Sequence, residues 1–157
     1  MVDEIERKWL VDKIPFDLNQ FDSSEINQAY LGVVDFDNDE IRLRKKKNKY
    51  LMTIKKGAGE KRGEAEVEIT GEVYKQISSL QNLNWIKKIR YEIPEGKNII
   101  EFDIYHGDLE GLLTAEVEFE SLEEEKSYVP KNWFGREVTF DKCYKNKYLA
   151  RDGFPKN

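Results

Sequence analysis

The sequence predicts a mainly β (α+β) fold: an eight-stranded antiparallel closed barrel with a charged interior and a few helices packed outside. Three observations favour this fold. Apolar and charged residues alternate with a period of two in many short segments, which is the pattern of strands. The turns between these segments are short and polar, which indicates antiparallel neighbours. On one side of most segments the residues are Arg, Lys, Glu or Asp.

Length and composition indicate one globular domain, expected over residues 1–157. The sequence is 39% hydrophobic and 36% charged, so many charges must lie on its strands. The net charge of −5 argues against general attraction to DNA, RNA or an acidic membrane. No signal-peptide core or run of about 18 apolar residues is present. A cytoplasmic monomer or homodimer without nucleic-acid or membrane partners is therefore expected.

The alternation predicts eight strands that are separated by turn residues. The strands are expected near 3–11, 27–34, 39–46, 49–56, 62–69, 86–93, 98–105 and 113–120. The turns with hairpin character are Asp37-Asn38-Asp39, Lys47-Asn48-Lys49, Gly57-Ala58-Gly59 and Pro94-Glu95-Gly96.

Three helices are expected after the fifth strand. The first follows Thr70, a residue type that caps helix N-termini. The second begins at Ser121, which has capping-box spacing to Glu124, and Pro130 marks its stop. The third is short and lies within 141–151.

The first strand carries the most informative charges. Because residues two apart on a strand share a face, Glu4, Glu6 and Lys8 lie on one wall, while Ile5 and Trp9 point the other way. Paired carboxylates suit a hard divalent cation, and lysine suits the phosphate that such a cation accompanies.

The same division into a charged and an apolar face recurs along the chain. The charged face has eight acids (Glu4, Glu6, Glu64, Glu66, Glu101, Asp103, Glu116, Glu118) and seven bases (Lys8, Arg42, Arg44, Lys55, Arg62, Lys88, Arg90). An open sheet could expose this face to water, with its apolar face on the helices. A closed barrel could instead enclose it, and eight strands are near the size that holds a small ligand. Like-charged neighbours repel unless ions bind between them, which favours the closed barrel.

The two kinds of charge indicate two kinds of ligand. Arginine and lysine suit a condensed polyanion such as a chain of phosphates. The carboxylates suit Mg²⁺ or Mn²⁺, which are bound by a few carboxylates together with substrate phosphates. The pattern therefore predicts a polyphosphate site, without a P-loop, because no glycine run has the required spacing.

These segments resemble the CYTH proteins, also called triphosphate tunnel metalloenzymes, nearly from end to end. The family's N-terminal ExExK motif is similar to Glu4-Ile5-Glu6-Arg7-Lys8. Further matches, in the family's order, are Ile41-Arg42-Leu43-Arg44, Thr53-Ile54-Lys55, Arg62-Gly63-Glu64-Ala65-Glu66, Lys88-Ile89-Arg90-Tyr91, Glu101-Phe102-Asp103 and Glu116-Val117-Glu118-Phe119. Trp133-Phe134-Gly135 and Asp141-Lys142-Cys143-Tyr144-Lys145-Asn146 resemble the short bacterial members. The resemblance implies an eight-stranded tunnel with metal-dependent chemistry on triphosphate groups.

The resemblance also implies roles for individual residues. The expected catalytic residues are Glu4, Glu6, Lys8, Glu116 and Glu118, and the four glutamates are also the expected metal ligands. Further possible metal ligands are Glu64, Glu66 and Asp103. The expected phosphate-binding residues are Lys8, Arg42, Arg44, Lys55, Lys88, Arg90, Lys142 and Lys145, the last two closing one mouth of the tunnel.

Other residues have more local interpretations. Arg62 is expected to pair with neighbouring acids, and Tyr30 either lines the tunnel or packs beside it. Trp133 and Phe134 are interpreted as packing residues. The single cysteine, Cys143, is interpreted as an inert thiol at a position that is often basic in related bacterial proteins.

The family includes inorganic triphosphatases, thiamine triphosphatases, class IV adenylate cyclases and RNA triphosphatases, and the fold does not choose among them. The short chain and the lack of a nucleic-acid patch favour hydrolysis of inorganic tripolyphosphate to pyrophosphate and phosphate. The alternatives are a nucleotide-acting member (an NTPase or a cyclase), a thiamine triphosphatase and a non-catalytic polyphosphate-binding module. Each takes a small-molecule triphosphate or polyphosphate.

Overall fold

Eight antiparallel strands close into a barrel in the computed structural model, which describes residues 2–57, 61–80 and 82–156. The strands are β1 (Val2–Leu10), β2 (Asp22–Leu31), β3 (Asp39–Lys46), β4 (Lys49–Lys56), β5 (Lys61–Ile69), β6 (Trp85–Glu95), β7 (Asn98–His106) and β8 (Leu113–Phe119). Their order around the barrel is β1-β5-β4-β3-β2-β6-β7-β8. The predicted closed barrel is confirmed, and the open sheet is excluded because β1 pairs with both β5 and β8.

The strand boundaries agree with the alternation except in β2. That strand begins at Asp22 and ends at Leu31, whereas 27–34 was expected. Its first residues are mostly polar and give no alternating signal, but they pair with β6 from Asp22 opposite Glu92 onward. Tertiary pairing outweighs weak local propensity here. The expected turn at Gly57-Ala58-Gly59 lies partly outside the described residues.

Three α-helices lie in the described part of the chain: α1 (Gly71–Leu80), α2 (Leu122–Ser127) and α3 (Asn146–Asp152). The hydroxyl of Thr70 accepts a hydrogen bond from the Val73 N–H at 3.1 Å, at the start of α1. The Ser121 hydroxyl accepts from the Glu124 N–H at 3.2 Å, as the capping-box spacing predicts. The tail is not one helix: a 3₁₀ turn at Lys142–Tyr144 precedes α3.

The main apolar core lies outside the barrel, beneath α2 and the segment that follows it. It includes Ile5, Trp9, Phe102, Ala115, Val117 and Phe119. Trp133 and Phe134 pack against it: the Phe134 ring centroid is 4.7 Å from Trp9, and the Trp133 centroid is 5.7 Å from Phe102. The prediction that these two aromatic residues pack is confirmed. The apolar faces of these strands therefore point outward, where α2 and the segment after it cover them. The charged faces of the same strands point into the barrel.

A second apolar core closes one end of the barrel with the C-terminal segment. It consists of Ile86, Tyr105, Leu109, Leu112, Val138, Tyr144 and Leu149. The buried Lys147 fastens α3 to the loop before β3, since its Nζ donates to the carbonyl oxygens of Phe36 at 2.5 Å, Asp37 at 3.2 Å and Asp39 at 3.3 Å. We call this the closed end of the barrel. None of the helices in the described ranges is long and apolar enough to cross a membrane.

Candidate active site

The barrel encloses a cavity of about 320 Å³ lined mostly by charged side chains. Its lining residues are Glu4, Glu6, Lys8, Tyr30, Glu40, Arg42, Arg44, Lys46, Leu51, Lys55, Arg62, Glu64, Glu66, Arg90, Glu101, Glu116, Glu118, Val138, Thr139, Lys145 and Asn146. The period-two alternation of the strands places these groups inside, because each strand sends every second residue to the lumen.

Three carboxylates at the β1–β8 seam form a cluster. Glu4, Glu6 and Glu118 each offer an oxygen, and these oxygens lie within 4.8 Å of one another. Glu6 stands directly opposite Glu118 across the two strands. The Oε2 of Glu6 is buried and accepts no hydrogen bond from the described residues. We call these three residues the acidic cluster.

The ionisation of the acidic cluster is unfavourable without a counter-charge. Partial desolvation raises the pKa of Glu118 to about 7, although its side chain is still open to solvent, and nearby Glu101 and Glu4 add to the effect. Burial likewise raises the pKa of Glu6 well above its usual value, and the neighbouring Glu116 contributes. Burial also raises the pKa of Glu4, although Lys55 partly offsets this. An incompletely satisfied group of carboxylate oxygens fits a hard divalent cation, which prefers oxygen ligands.

Glu116, also expected as a metal ligand, lines the cavity beside the acidic cluster but is not part of it. Burial opposes its ionisation, but a hydrogen bond with Glu6 and the charges of Lys8 and Arg90 lower its pKa. Glu6 and Glu116 are thus an interacting pair, in which the pKa of Glu6 is raised and that of Glu116 is lowered. Opposite shifts of this kind are typical of adjacent buried carboxyl groups.

Glu64 and Glu66 lie on β5, which borders β1 on the side away from β8. Glu64 is opposite Lys55 in the strand register. Glu66 accepts a hydrogen bond from the Thr53 hydroxyl at 2.7 Å and lies 3.6 Å from Arg42. Both line the cavity as expected, and Glu66 is paired with Arg42 of β3.

Four cations, Arg42, Arg44, Lys55 and Arg90, line the cavity on β3, β4 and β6 and form what we call the basic wall. Lys55 donates to Glu4 Oε1 at 2.9 Å. Arg44 donates from Nε to the Gln28 amide oxygen at 2.9 Å and has no ion pair among the described residues. Burial lowers the pKa of Arg44 to about 10, and the charges of Arg42 and Arg90 contribute. An anion bound between these cations would relieve their repulsion.

Lys88 and Asp103 lie behind the wall and not on the cavity surface. Asp103 is 1% exposed and accepts hydrogen bonds from Lys88 Nζ at 2.7 Å, Arg90 Nε at 2.7 Å and Arg90 Nη2 at 2.8 Å. The ammonium of the fully buried Lys88 contacts Asp103 at 2.7 Å. We call Lys88, Arg90 and Asp103 the ion-pair cluster. Neither Lys88 nor Asp103 lines the cavity, and each is engaged by the other, so their expected phosphate and metal roles stay predictions.

The C-terminal lysines occupy different environments. Lys145 lines the cavity, and burial together with Arg62 lowers its pKa. Lys142 does not line it: its side chain is 64% exposed, with Nζ 3.8 Å from Asp37 Oδ1. The expectation that Lys142 closes the tunnel is therefore not supported by its position. Lys8 lines the cavity as expected and donates from Nζ to the Tyr144 carbonyl at 2.7 Å.

Several lining residues were not expected from the sequence. Glu40 and Lys46 share the alternation of Arg42 and Arg44, so the periodicity of β3 contains the signal for both. Thr139 and Asn146 come from the C-terminal segment, where no strand period applies. The two readings of Tyr30 are both realised, because it lines the cavity and packs against the second apolar core. Arg62 pairs with an acid as expected, and that acid is Glu40, with Nη1 and Oε1 3.5 Å apart.

Known proteins with similar sequences are inorganic triphosphatases. The inorganic triphosphatase of Nitrosomonas europaea is 37% identical over 149 residues, which cover 94% of this chain and 96% of that protein. The inorganic triphosphatase of Acetivibrio thermocellus is 33% identical over 156 residues, covering 96% and 95%. No protein-family model matches the sequence.

Solved structures share the fold. The crystal structure of the inorganic triphosphatase NE1496 superposes with a TM-score of 0.68 at 35% identity, covering 96% of this chain and 95% of that chain. HpAC1 from Hippeastrum, a protein with a dominant triphosphatase activity, superposes with a TM-score of 0.61, covering 78% and 82%. Its identity of 14% indicates a shared fold alone. From these identities and coverages, and from its closed barrel with a charged lumen, the chain belongs to the inorganic triphosphatases of the CYTH-type triphosphate tunnel family.

Proposed function

We propose that this protein hydrolyses inorganic tripolyphosphate to pyrophosphate and phosphate, with Mg²⁺ or Mn²⁺ as cofactor. The observation that carries the proposal is the separation of charge inside one cavity. The acidic cluster lies at the β1–β8 seam, and the basic wall lies on β3, β4 and β6. A triphosphate bound with a divalent cation presents a positive charge to the acidic cluster and negative charges to the basic wall.

Glu4, Glu6 and Glu118 would hold the cation, since their oxygens converge and Glu6 Oε2 has no other partner among the described residues. Glu116, Glu64 and Glu66 line the same cavity and would complete its oxygen environment through water. A divalent cation supplies neutralisation of phosphate charge and activation of the attacking water. Both ions are hard enough for an all-carboxylate site, so the choice between them is left to experiment.

The basic wall would bind and orient the phosphate chain. Arg42, Arg44 and Arg90 present guanidinium groups that can hold phosphate oxygens in pairs, and Lys8 and Lys55 act as point charges. The ion-pair cluster fixes Arg90 before substrate arrives, because Asp103 holds both its Nε and its Nη2. Cations that are fixed in advance stabilise developing charge without reorganising, which is the main source of catalysis in phosphoryl transfer.

The lining favours an inorganic chain over a nucleotide. The volume of about 320 Å³ is at the low end of the clefts that hold drug-sized ligands. Among the described lining residues, Tyr30 is the only aromatic side chain, and Leu51 and Val138 are the only other apolar ones of any size. A base or a thiazolium ring would find little surface for stacking. The similarity to two inorganic triphosphatases supports the same substrate class.

The test is phosphate release from tripolyphosphate, ATP and thiamine triphosphate, each with Mg²⁺, Mn²⁺ and excess EDTA. We expect the highest kcat/KM for tripolyphosphate and loss of turnover in EDTA. Equal turnover in EDTA would contradict the role of the acidic cluster. A higher kcat/KM for ATP or thiamine triphosphate would contradict the proposed substrate. Binding of tripolyphosphate without hydrolysis under any of these conditions would indicate a binding module.

A further inference from the structure

Glu40 lies near the closed end of the cavity, beside several cations and outside the acidic cluster. Glu40 lines the cavity and is 7% exposed. It is near the start of β3, directly after Asp39, whose carbonyl accepts from Lys147 of the closing segment. Lys145 of the same segment and Arg62 at the start of β5 line the cavity there as well.

The charge of Glu40 is only loosely paired. Arg62 donates from Nη1 to Glu40 Oε1 at 3.5 Å, a long contact, and Lys55 stands directly opposite Glu40 in the strand register. Both cations are shared, because Arg62 also donates from Nε to the Gly57 carbonyl at 2.8 Å and Lys55 also donates to Glu4 at 2.9 Å. Burial opposes ionisation of Glu40, but the surrounding charges of Lys55, Arg42 and Arg62 lower its pKa. Glu40 is therefore an anion that faces the lumen at neutral pH.

The opposite mouth of the cavity is also acidic. Glu101 and Glu118 line both the cavity and a neighbouring cleft, whose other acids are Glu92, Glu120 and Glu124. Within the described residues, the cations of that cleft are few, and Lys97 there is paired with Glu124. A polyanion in the lumen thus meets negative charge at either end of the basic wall.

We propose that Glu40 sets the length of the phosphate chain that the cavity accepts, by repelling a fourth phosphate at the closed end. The inference deepens the proposed function, on which it rests only in assuming that a linear polyphosphate occupies the lumen. A chain of three phosphates on the basic wall would reach as far as Lys55, which stands directly opposite Glu40 in the strand register. A chain with one more phosphate must place it against Glu40 or push it into the acidic mouth, and like-charge contacts of this kind are strongly unfavourable.

The alternative role of Glu40 is to position Arg62. The two roles predict different effects of removing its charge on the preference between three and four phosphates. If Glu40 only positions Arg62, then Glu40→Gln weakens the site for chains of any length. If Glu40 is a charge barrier, the same change improves the acceptance of tetrapolyphosphate relative to tripolyphosphate. The Gln side chain keeps the shape of Glu and removes only its charge, so a gain in this ratio reports the charge.

The experiment measures kcat/KM for tripolyphosphate and tetrapolyphosphate in saturating Mg²⁺, and the Kd of the EDTA-treated protein for both chains by calorimetry. For Glu40→Gln we expect the tetra-to-tri ratio of kcat/KM to rise about 10- to 100-fold and the tetra-to-tri ratio of Kd to fall by a similar factor. Glu40→Asp, which keeps the charge, should stay near the wild-type ratio. Glu40→Ala repeats the test if the Gln variant does not fold. The matched control is Glu68→Gln on β5, an exposed carboxylate beside Lys49 and outside the cavity lining.

The outcomes separate this inference from the proposed function. An unchanged or lower kcat/KM ratio in Glu40→Gln, in a variant that still binds tripolyphosphate, overturns the role of Glu40 and leaves the proposed function intact. A wild-type protein that binds both chains without hydrolysing either contradicts the proposed function, and the calorimetric ratio still decides the role of Glu40. Failure of the wild-type protein to bind either chain overturns both.

Discussion

The acidic cluster and the ion-pair cluster lie inside the same barrel, yet their polar atoms are satisfied differently. In the ion-pair cluster, Asp103 accepts three hydrogen bonds of 2.7–2.8 Å from Lys88 and Arg90. In the acidic cluster, Glu6 faces Glu118 and has a buried oxygen without a partner among the described residues. One cluster is complete as it stands, whereas the other needs a cation.

The two clusters have correspondingly opposite acid–base behaviour. Burial opposes ionisation of Asp103, but Arg90 and Lys88 overcome it and lower the pKa of that carboxyl strongly. Partial desolvation and the charges of Glu101 and Glu4 raise the pKa of Glu118 to about 7. We infer that a charged group inside the barrel belongs to a binding site when its neighbours repel it, and to the scaffold when its neighbours pair with it.

The largest expected effect is on the acidic cluster. Glu4→Gln should lower kcat/KM for tripolyphosphate by about 10³-fold, roughly 4 kcal/mol, because the cation loses a charged ligand. Phosphate release in saturating Mg²⁺ measures this. Glu72→Gln, at an exposed position of α1, is the matched control and should retain activity. A near wild-type rate for Glu4→Gln would make this cluster structural.

The second effect is on stability in the ion-pair cluster. Asp103→Asn should lower the free energy of unfolding by about 3–5 kcal/mol, because Lys88 and Arg90 lose their shared buried partner. Urea denaturation in excess EDTA measures the change. Asp152→Asn breaks an exposed ion pair with Arg151 and should have little effect on the same measurement. Equal stabilities of the two variants would refute the distinction between the clusters.

The third effect is on the basic wall. Arg44→Ala should lower kcat/KM for tripolyphosphate by roughly 30- to 1000-fold, or about 2–4 kcal/mol, since a buried charge-assisted contact to phosphate is lost. The EDTA-treated variant should be no less stable than the wild type, because Arg42 and Arg90 repel Arg44. Arg151→Ala is the matched control, with an exposed arginine outside the cavity. Near-normal kcat/KM for Arg44→Ala would remove this residue from the phosphate site.

The smallest effect is the pH dependence of stability without metal. The pKa of Glu118 is raised from 4.5 to about 7, so its contribution to stability is present below about pH 4.5 and is lost as pH rises through about 7. Glu118→Gln cannot ionise. In EDTA it should therefore be more stable than the wild type near pH 8, by an amount that solvent screening reduces because Glu118 is partly exposed, and should differ much less near pH 5.

Thermal unfolding of both proteins across this pH range is the measurement. The control Glu72→Gln lies outside the lumen, and its Tm difference from the wild type should be about the same at pH 5 and pH 8. A Glu118→Gln variant that is less stable than the wild type at high pH would show that Glu118 is held by cations and not repelled by acids.

The residues that line the lumen could be predicted from the sequence, because strand alternation determines which side chains point inward. The spacing of Glu4, Glu6 and Lys8, and of Arg42 and Arg44, places these side chains inside once the barrel closes. Alternation could not separate Asp103 from Glu118, which look alike along their own strands. Only the register does so, since Asp103 stands opposite Arg90 and Glu118 stands opposite Glu6.

The closed end was the least predictable part of the molecule. Lys142 and Lys145 are three residues apart in the sequence, but the 3₁₀ turn ends between them and only Lys145 reaches the cavity. Glu40 could have been predicted to face the lumen, because it precedes Arg42 by two residues on β3. Its contact with Arg62 depends on the pairing of β3, β4 and β5, which no local pattern specifies.

If the acidic cluster is a metal site and the ion-pair cluster is not, divalent ions must bind at the first and not at the second. Anomalous diffraction from crystals of the protein soaked in Mn²⁺ and tripolyphosphate distinguishes the two. We expect a manganese peak bounded by the carboxylates of Glu4, Glu6 and Glu118, with no peak at Asp103. A manganese peak at Asp103, or none at the acidic cluster in crystals that contain bound tripolyphosphate, would contradict it.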